Sequence, residues 1–176
     1  MIYFITGNAG KFREVSALIP DIEQLKLDVD EIQSLDPRAV IEHKLAQAAT
    51  KHDGAFIVED TSLSIKCLGG LPGTFIKWFT DSLGLEGLAN LAACYEDRSA
   101  VASTTIGYRD THGVNKYFTG QVAGTIVAPR GGGFGWDAIF VPDGYQKTFG
   151  ELGPEFKNTI SMRSIATKKL ADHLKS

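Results

Sequence analysis

Residues 2–19 read IYFITGNAGKFREVSALI. The apolar run Ile2 to Ile5 has the length and composition of a buried strand. From Lys11 to Ile19 the apolar residues Phe12, Val15, Ala17, Leu18 and Ile19 follow helical spacing. A strand, a short polar turn and a helix make the first βα unit of an α/β fold. The turn, Thr6-Gly7-Asn8-Ala9-Gly10-Lys11, lies where the first N–H groups of a helix lack partners and its dipole favours an anion. Two readings stay open: a phosphate seat with Lys11 as its charge, or a turn whose Asn8 caps the helix. It is not a Walker A loop, because Ile5 stands where that loop needs its first glycine and Phe12 where it needs Ser or Thr.

The rest of the chain extends this pattern. Leu25 to Val29 reads as a second strand. Pro37 opens a helix through Val40, Ile41, Leu45, Ala48 and Ala49. Ala55 to Val58 reads as a short strand ending at Glu59-Asp60. After the LGGLPG segment come helices at Phe75 to Phe79 and Leu85 to Ala93. Ala100 to Ala128 reads as a hairpin broken at Asp110 to Gly113. A last helix, Ile160 to Leu174, carries Ala166, Leu170 and Leu174 on one face. We therefore expect an α/β domain over residues 1–176, its mixed, twisted central sheet flanked by helices, in two lobes with an active-site cleft between them.

A chain of 176 residues suits one well-buried domain. Its 18 basic and 21 acidic residues give a net charge of −3, which lacks the electrostatic footprint of a polynucleotide binder. A small anionic substrate would need a local cluster of lysines instead. The opening MIYFITGN carries no basic leader and no segment has the length of a bilayer span, so we expect a cytosolic protein without a membrane partner. Cys67 and Cys94 have no metal-type spacing, nor do His43, His52, His112 and His173.

Glu59-Asp60-Thr61 follows an apolar strand, and ligand sites in α/β folds gather at the carboxyl ends of strands. Mg²⁺ needs only one or two carboxylates beside phosphates and water, so one strand-end carboxylate suffices; the alternative is a solvated turn residue or a helix cap. Glu31, in an acidic cluster, is the weaker candidate. Lys157 and Arg163 flank the expected start of the last helix, where a lysine opposes the dipole and points to an anionic or polar ligand. The glycine-rich stretch GGGFGWD, Gly131 to Asp137, puts an exposed-looking Phe134-x-Trp136-Asp137 unit on pliable backbone. It reads either as a base-stacking platform with a polar anchor or as one core ring and one surface ring.

Taken together, TGNAGK, VEDTSL, LGGLPGTFIKWF, IVAPRG, FGWD, PDGYQKTFGEL and KNTISMR resemble the inosine triphosphate pyrophosphatase family, nearly end to end and in family order. The resemblance implies Mg²⁺-dependent hydrolysis, with Mn²⁺ as the alternative metal, of inosine, deoxyinosine and xanthosine triphosphates to the monophosphate and pyrophosphate, by a homodimer. Carried over onto this chain, Thr6, Gly7, Asn8, Ala9, Gly10 and Lys11 hold the triphosphate, and Glu31 and Asp60 bind the metal. Asp60 also activates water, with Thr61 beside it. Lys44, Lys77 and Lys157 contact the nucleotide, and Phe134, Gly135, Trp136 and Asp137 frame the base. The family's Ser-His-Arg is Ser161, Met162 and Arg163 here. Met162 removes a polar group from the base pocket, which leaves broader base selectivity as one alternative. The other is a nucleotide sensor without turnover, which would not need Asp60 and Glu31 together.

Overall fold

A computed structural model describes residues 1–175. The strands are β1 (Ile2–Ile5), β2 (Ile22–Leu25), β3 (Phe56–Ile65), β4 (Pro72–Gly73), β5 (Ser99–Arg109), β6 (Asn115–Ile126) and β7 (Phe140–Pro142). They form one seven-stranded sheet in the order β2-β1-β3-β5-β6-β7, with β4 attached to β3. β1 runs parallel to β2 and β3, whereas β4 and β7 pair antiparallel, so the sheet is mixed. The helices are α1 (Ala9–Ser16), α2 (Pro37–Ala49), α3 (Ile76–Ala93), α4 (Phe149–Ile160) and α5 (Met162–Lys175).

The chain divides into two compact units, Met1–Thr61 with Thr104–Gly120 and the residues from Met162, and Ser62–Ser103 with Gln121–Ser161. The first unit is organised by the two-residue period of its strands. Phe4 and Ile57 pack with Val15 of α1 and Ala166 and Leu170 of α5. Their sequence neighbours Ile5, Phe56 and Val58 pack with Ile41, Leu45 and Ala48 of α2. The expected face of the last helix is thus the buried one. In the second unit Phe140 stands between Trp136, edge-on at 5.5 Å, and Phe149 of α4 at 5.3 Å between ring centroids.

Several boundaries differ from those the sequence predicts. β2 covers Ile22–Leu25 rather than Leu25 to Val29; Ile22 is buried beside Phe4, while Leu27 and Val29 pack against the α2 cluster outside any strand. α1 begins at Ala9, because Asn8 is its cap, and stops at Ser16, short of Ile19. The two helices expected after LGGLPG are pieces of α3 on either side of Gly84, whose φ of 69° and ψ of 173° interrupt the helical path. The hairpin turn forms as expected, with the Asp110 carboxylate accepting the His112 and Val114 amides, both at 2.8 Å.

Two corrections bear on the site. β3 does not end at Glu59-Asp60 but runs on to Ile65, since Leu63 and Ser64 pair with Gly73 and Pro72 of β4. The two carboxylates are therefore mid-strand and buried. Lys157 does not sit at the N-terminus of the last helix, which starts at Met162. It lies in the final turn of α4, a helix the sequence reading missed, where a cation favours the dipole rather than opposing it. α4 starts in a capping box: the Glu151 amide donates to Thr148 Oγ1 and the Thr148 amide to Glu151 Oε2. It ends at Ser161, whose extended backbone (ψ 157°) separates it from α5.

Candidate active site

The turn between β1 and α1 is built as a cap. Asn8 Oδ1 accepts the amides of Gly10 at 2.9 Å and Lys11 at 3.1 Å, and the Asn8 amide donates to Thr6 Oγ1 at 3.1 Å. Gln24 Nε2 fixes Thr6 by donating to its carbonyl at 2.9 Å. A Cβ at Gly7 would meet no atom within 4 Å, so another group can approach the backbone there. Both readings of the turn are thus compatible with its geometry: the cap exists, and Lys11 in the first helical turn stays partly exposed.

On the α2 face of β3, Lys44 collects the acidic groups. Its Nζ is 2.7 Å from Glu31 Oε1 and 3.0 Å from Asp60 Oδ1, and it donates to the Glu59 carbonyl at 3.3 Å. Burial alone would lower the Lys44 ammonium, but Asp60 and Glu31 raise it above its ordinary value. Asp60 is itself buried; desolvation pushes its carboxyl above the usual range, outweighing the pull of Lys44 and Lys11. Asp60 Oδ2 is buried without a hydrogen-bond partner. Two carboxylates, one of them with an unpartnered buried oxygen, fit a hard divalent cation that completes its shell with water and phosphate. Among the described residues no group of three or more His, Cys, Asp or Glu is placed to hold a metal ion.

The opposite face of β3 carries a second centre. Glu59 is wholly buried and accepts Arg163 Nε at 2.9 Å, Arg163 Nη2 at 3.3 Å and the Thr61 hydroxyl. Lys11 Nζ is 3.3 Å from its Oε1. Arg163 also donates to Glu14 of α1, and to Thr61 Oγ1 at 3.1 Å. Burial would raise the Glu59 carboxyl, but Arg163 and Lys11 hold it well below the ordinary range. Burial would likewise lower Arg163, and Glu59 and Glu14 raise it. The sequence reading singled out Arg163 as a donor to a ligand and overlooked Glu59 and Glu14 as its partners. The available signal was positional: Glu59 and Thr61 share one strand face with Ile57, which packs on α1 and α5.

The remaining candidates lie in the second unit. Trp136, which looked exposed from sequence, is buried against Phe140, while Phe134 is partly exposed. Asp137 Oδ2 accepts the Phe134 amide at 3.0 Å and Lys157 Nζ at 2.7 Å. That ammonium is 5.7 Å from the centroid of the Phe134 ring. The glycine-rich stretch thus closes as a loop tied by one buried carboxylate, and a Cβ at Gly133 would lie 2.9 Å from Asp137 Cβ. Ser161 is buried at the end of α4, its amide donating to the Lys157 carbonyl at 2.8 Å. Lys77 is exposed in the first turn of α3. Met162, first residue of α5 in the other unit, is buried.

A mixed α/β fold with a cation-bridged carboxylate pair beside a capped strand-to-helix turn narrows the class, and comparison completes it. The Ham1 family model matches residues 2–173. A protein of Scheffersomyces stipitis described as inosine triphosphate pyrophosphatase is 41% identical over 191 residues, an alignment covering 99% of this chain and 98% of the relative. The Ham1 protein of Staphylococcus aureus superposes with a TM-score of 0.85 at 28% identity, over 99% of this chain and 97% of that one. A HAM1 protein from Coxiella burnetii gives 0.83 at 26% identity, over 99% and 98%. The chain belongs to the Ham1 family.

Proposed function

We propose that the chain is a nucleoside triphosphate pyrophosphatase that hydrolyses ITP, dITP and XTP to the monophosphate and pyrophosphate with Mg²⁺, cleansing the nucleotide pool. The observation that carries this function is the Glu31–Lys44–Asp60 bridge with its unpartnered Asp60 oxygen, in a chain related along its whole length to an inosine triphosphate pyrophosphatase. Attack on the α-phosphorus requires water placed in line while charge builds on the leaving pyrophosphate. Held by Glu31 and Asp60, Mg²⁺ would neutralise phosphate charge. Asp60, whose second oxygen is buried without a partner, would orient the water, and one of the two carboxylates would take up its proton.

Thr6 to Lys11 receive the triphosphate, with Gly7 admitting close approach and Lys11, Lys44 and Lys77 supplying positive charge. Phe134 offers its face to the purine on a loop held by Asp137 and Lys157, and the family resemblance assigns Ser161 and Met162 to the base as well. Arg163 reaches a base only by releasing a partner among Glu59, Glu14 and Thr61. The family resemblance also supports a homodimer in the cytosol. No helix among the described residues is long and apolar enough to cross a membrane.

Pyrophosphate release from a panel of ITP, dITP, XTP, ATP and GTP, with and without Mg²⁺, tests this function. Turnover favouring the 6-oxo, non-standard purines and requiring the metal is the expected result. Comparable rates on ATP and GTP would make it a pyrophosphatase of broad selectivity. Tight nucleotide binding without turnover would make it a sensor.

A further inference from the structure

We propose that Glu59 is the positioning residue of the phosphate lysine: it holds Lys11 in place from inside the fold, and Thr61 and Arg163 hold Glu59 in turn. The mechanism above gives Glu59 no task, yet its side chain is 0% exposed. A carboxylate is kept charged at such depth only by strong partners. Three elements supply them: Lys11 from α1, Thr61 from β3 itself and Arg163 from α5. The Arg163 fork and the Thr61 hydroxyl take up lone pairs on both oxygens of Glu59. This makes Glu59 a poor metal ligand and a rigid anchor.

Of the charged partners, Arg163 is 3% exposed at its side chain and Lys11 is 21% exposed. Lys11 is therefore the member of the cluster that can meet a ligand while one of its ammonium protons stays directed at Glu59. A flexible four-carbon stem does not hold an ammonium at one point unaided. With Glu59 behind it, the position is set before substrate arrives, and preorganised charge acts on developing phosphate charge without reorganising. The negative charge of Glu59 also reduces the pull of Lys11 on an anion, so positioning and ground-state affinity are opposed.

That opposition gives the test a sign that mere structural damage does not share. The inference rests on the assignment of Lys11 to the triphosphate, so binding and turnover are read separately in the full-length protein. Glu59→Gln keeps the volume and removes the charge. Its kcat on ITP is expected to fall about tenfold or more, within the range of coupling between contacting residues. Its Kd for inorganic triphosphate, measured by calorimetry, should stay equal or become tighter. In a Lys11→Ala background the same substitution should change kcat by less than about threefold, because the lysine it positions is gone. An equal loss in both backgrounds, or a loss of triphosphate affinity in parallel with kcat, would overturn the proposal. If Glu59→Gln fails to fold, Glu59→Asp, which keeps the charge and withdraws it from Lys11, is carried through the same cycle with the same criteria. Absence of ITP turnover in the unmodified protein refutes the proposed function instead, and the binding arm still decides on Glu59.

Discussion

Glu59 and Asp60 are consecutive residues whose carboxylates leave β3 on opposite faces, one to meet Arg163 and Lys11, the other to meet Lys44. The alternation of a strand is enough to produce this. It separates a fully partnered acid from one with an unpartnered oxygen, and the opposite directions of their proton affinities follow.

For Asp60, the folded-state carboxyl binds its proton more tightly than the unfolded one, mainly through desolvation. Its ionisation therefore opposes folding, and the cost grows as pH rises from the unfolded value through the folded one. Asp60→Asn removes that cost at neutral pH. It should lose nearly all ITP turnover and retain nucleotide binding, and its thermal midpoint reads the net of that gain and the charge partner lost to the buried Lys44. Parent-like rates at saturating Mg²⁺ would remove Asp60 from both of its roles.

Glu59 has the opposite sign. Its folded-state affinity for a proton is depressed, because Arg163 and Lys11 together outweigh its burial, so it contributes stability that is fully present above the ordinary carboxyl range. That contribution is lost as pH falls from that range toward the depressed folded value. The thermal midpoint of the parent should drop in acid, and Glu59→Gln should flatten that part of the profile. Parallel profiles for parent and variant would show that Glu59 is not linked to acid unfolding.

Trp136 and Phe134 divide the labour that the sequence left undivided. Trp136 is 7% exposed and packs on Phe140, so Trp136→Ala is a core truncation, expected to cost about 3–5 kcal/mol of stability. Phe134→Ala should leave the midpoint nearly unchanged and weaken ITP binding by about 1–3 kcal/mol, with little effect on inorganic triphosphate. Thermal unfolding and calorimetry on both variants separate the two cases.

How much was legible follows from which physical signal each feature carries. Periodicity marked β1, α2, the hairpin and the buried face of α5, because each rests on local apolar spacing. It missed α4, whose path is broken at Gly153 (φ 79°) and followed by Pro154, so that no continuous helical stripe runs through it. It cut β3 short at two charged residues, because composition does not reveal that acids mid-strand are neutralised by Lys44 and Arg163 from elsewhere in the chain. Candidate site residues stood out as motifs; their partners did not, since Glu59 and Arg163 are 104 residues apart.

Gly120 links β6 to the Arg163 cluster through sterics. A Cβ there would lie 2.0 Å from the Met162 carbonyl oxygen and 2.7 Å from the Ala166 amide nitrogen, both backbone atoms that cannot yield without moving α5. Gly120→Ala should lower the thermal midpoint and, by shifting the first turn of α5, reduce kcat on ITP in the fraction that remains folded. Parent-like activity per folded molecule would show that the register of Arg163 against Glu59 tolerates the displacement.

Met162 stands where the resembling family has a histidine, in the sequence Ser161-Met162-Arg163. Its side chain is 2% exposed and offers at most a weak sulfur acceptor, so it does not donate to a 6-oxo group. A buried donor facing an amino group instead of an oxo group costs about 1–3 kcal/mol, the penalty by which adenine would be rejected. Arg163 is engaged with Glu59, Glu14 and Thr61, which leaves it less able to make up for the missing imidazole. The protein should therefore prefer ITP and XTP to ATP by a smaller margin than a Ser-His-Arg relative. Met162→His should widen that margin. The measurement is the ratio of kcat/KM for ITP over ATP and over GTP in both forms, with the thermal midpoint as a control for burying an imidazole. A ratio that does not change in a folded variant would mean that position 162 is turned away from the base and that selectivity is set by other residues.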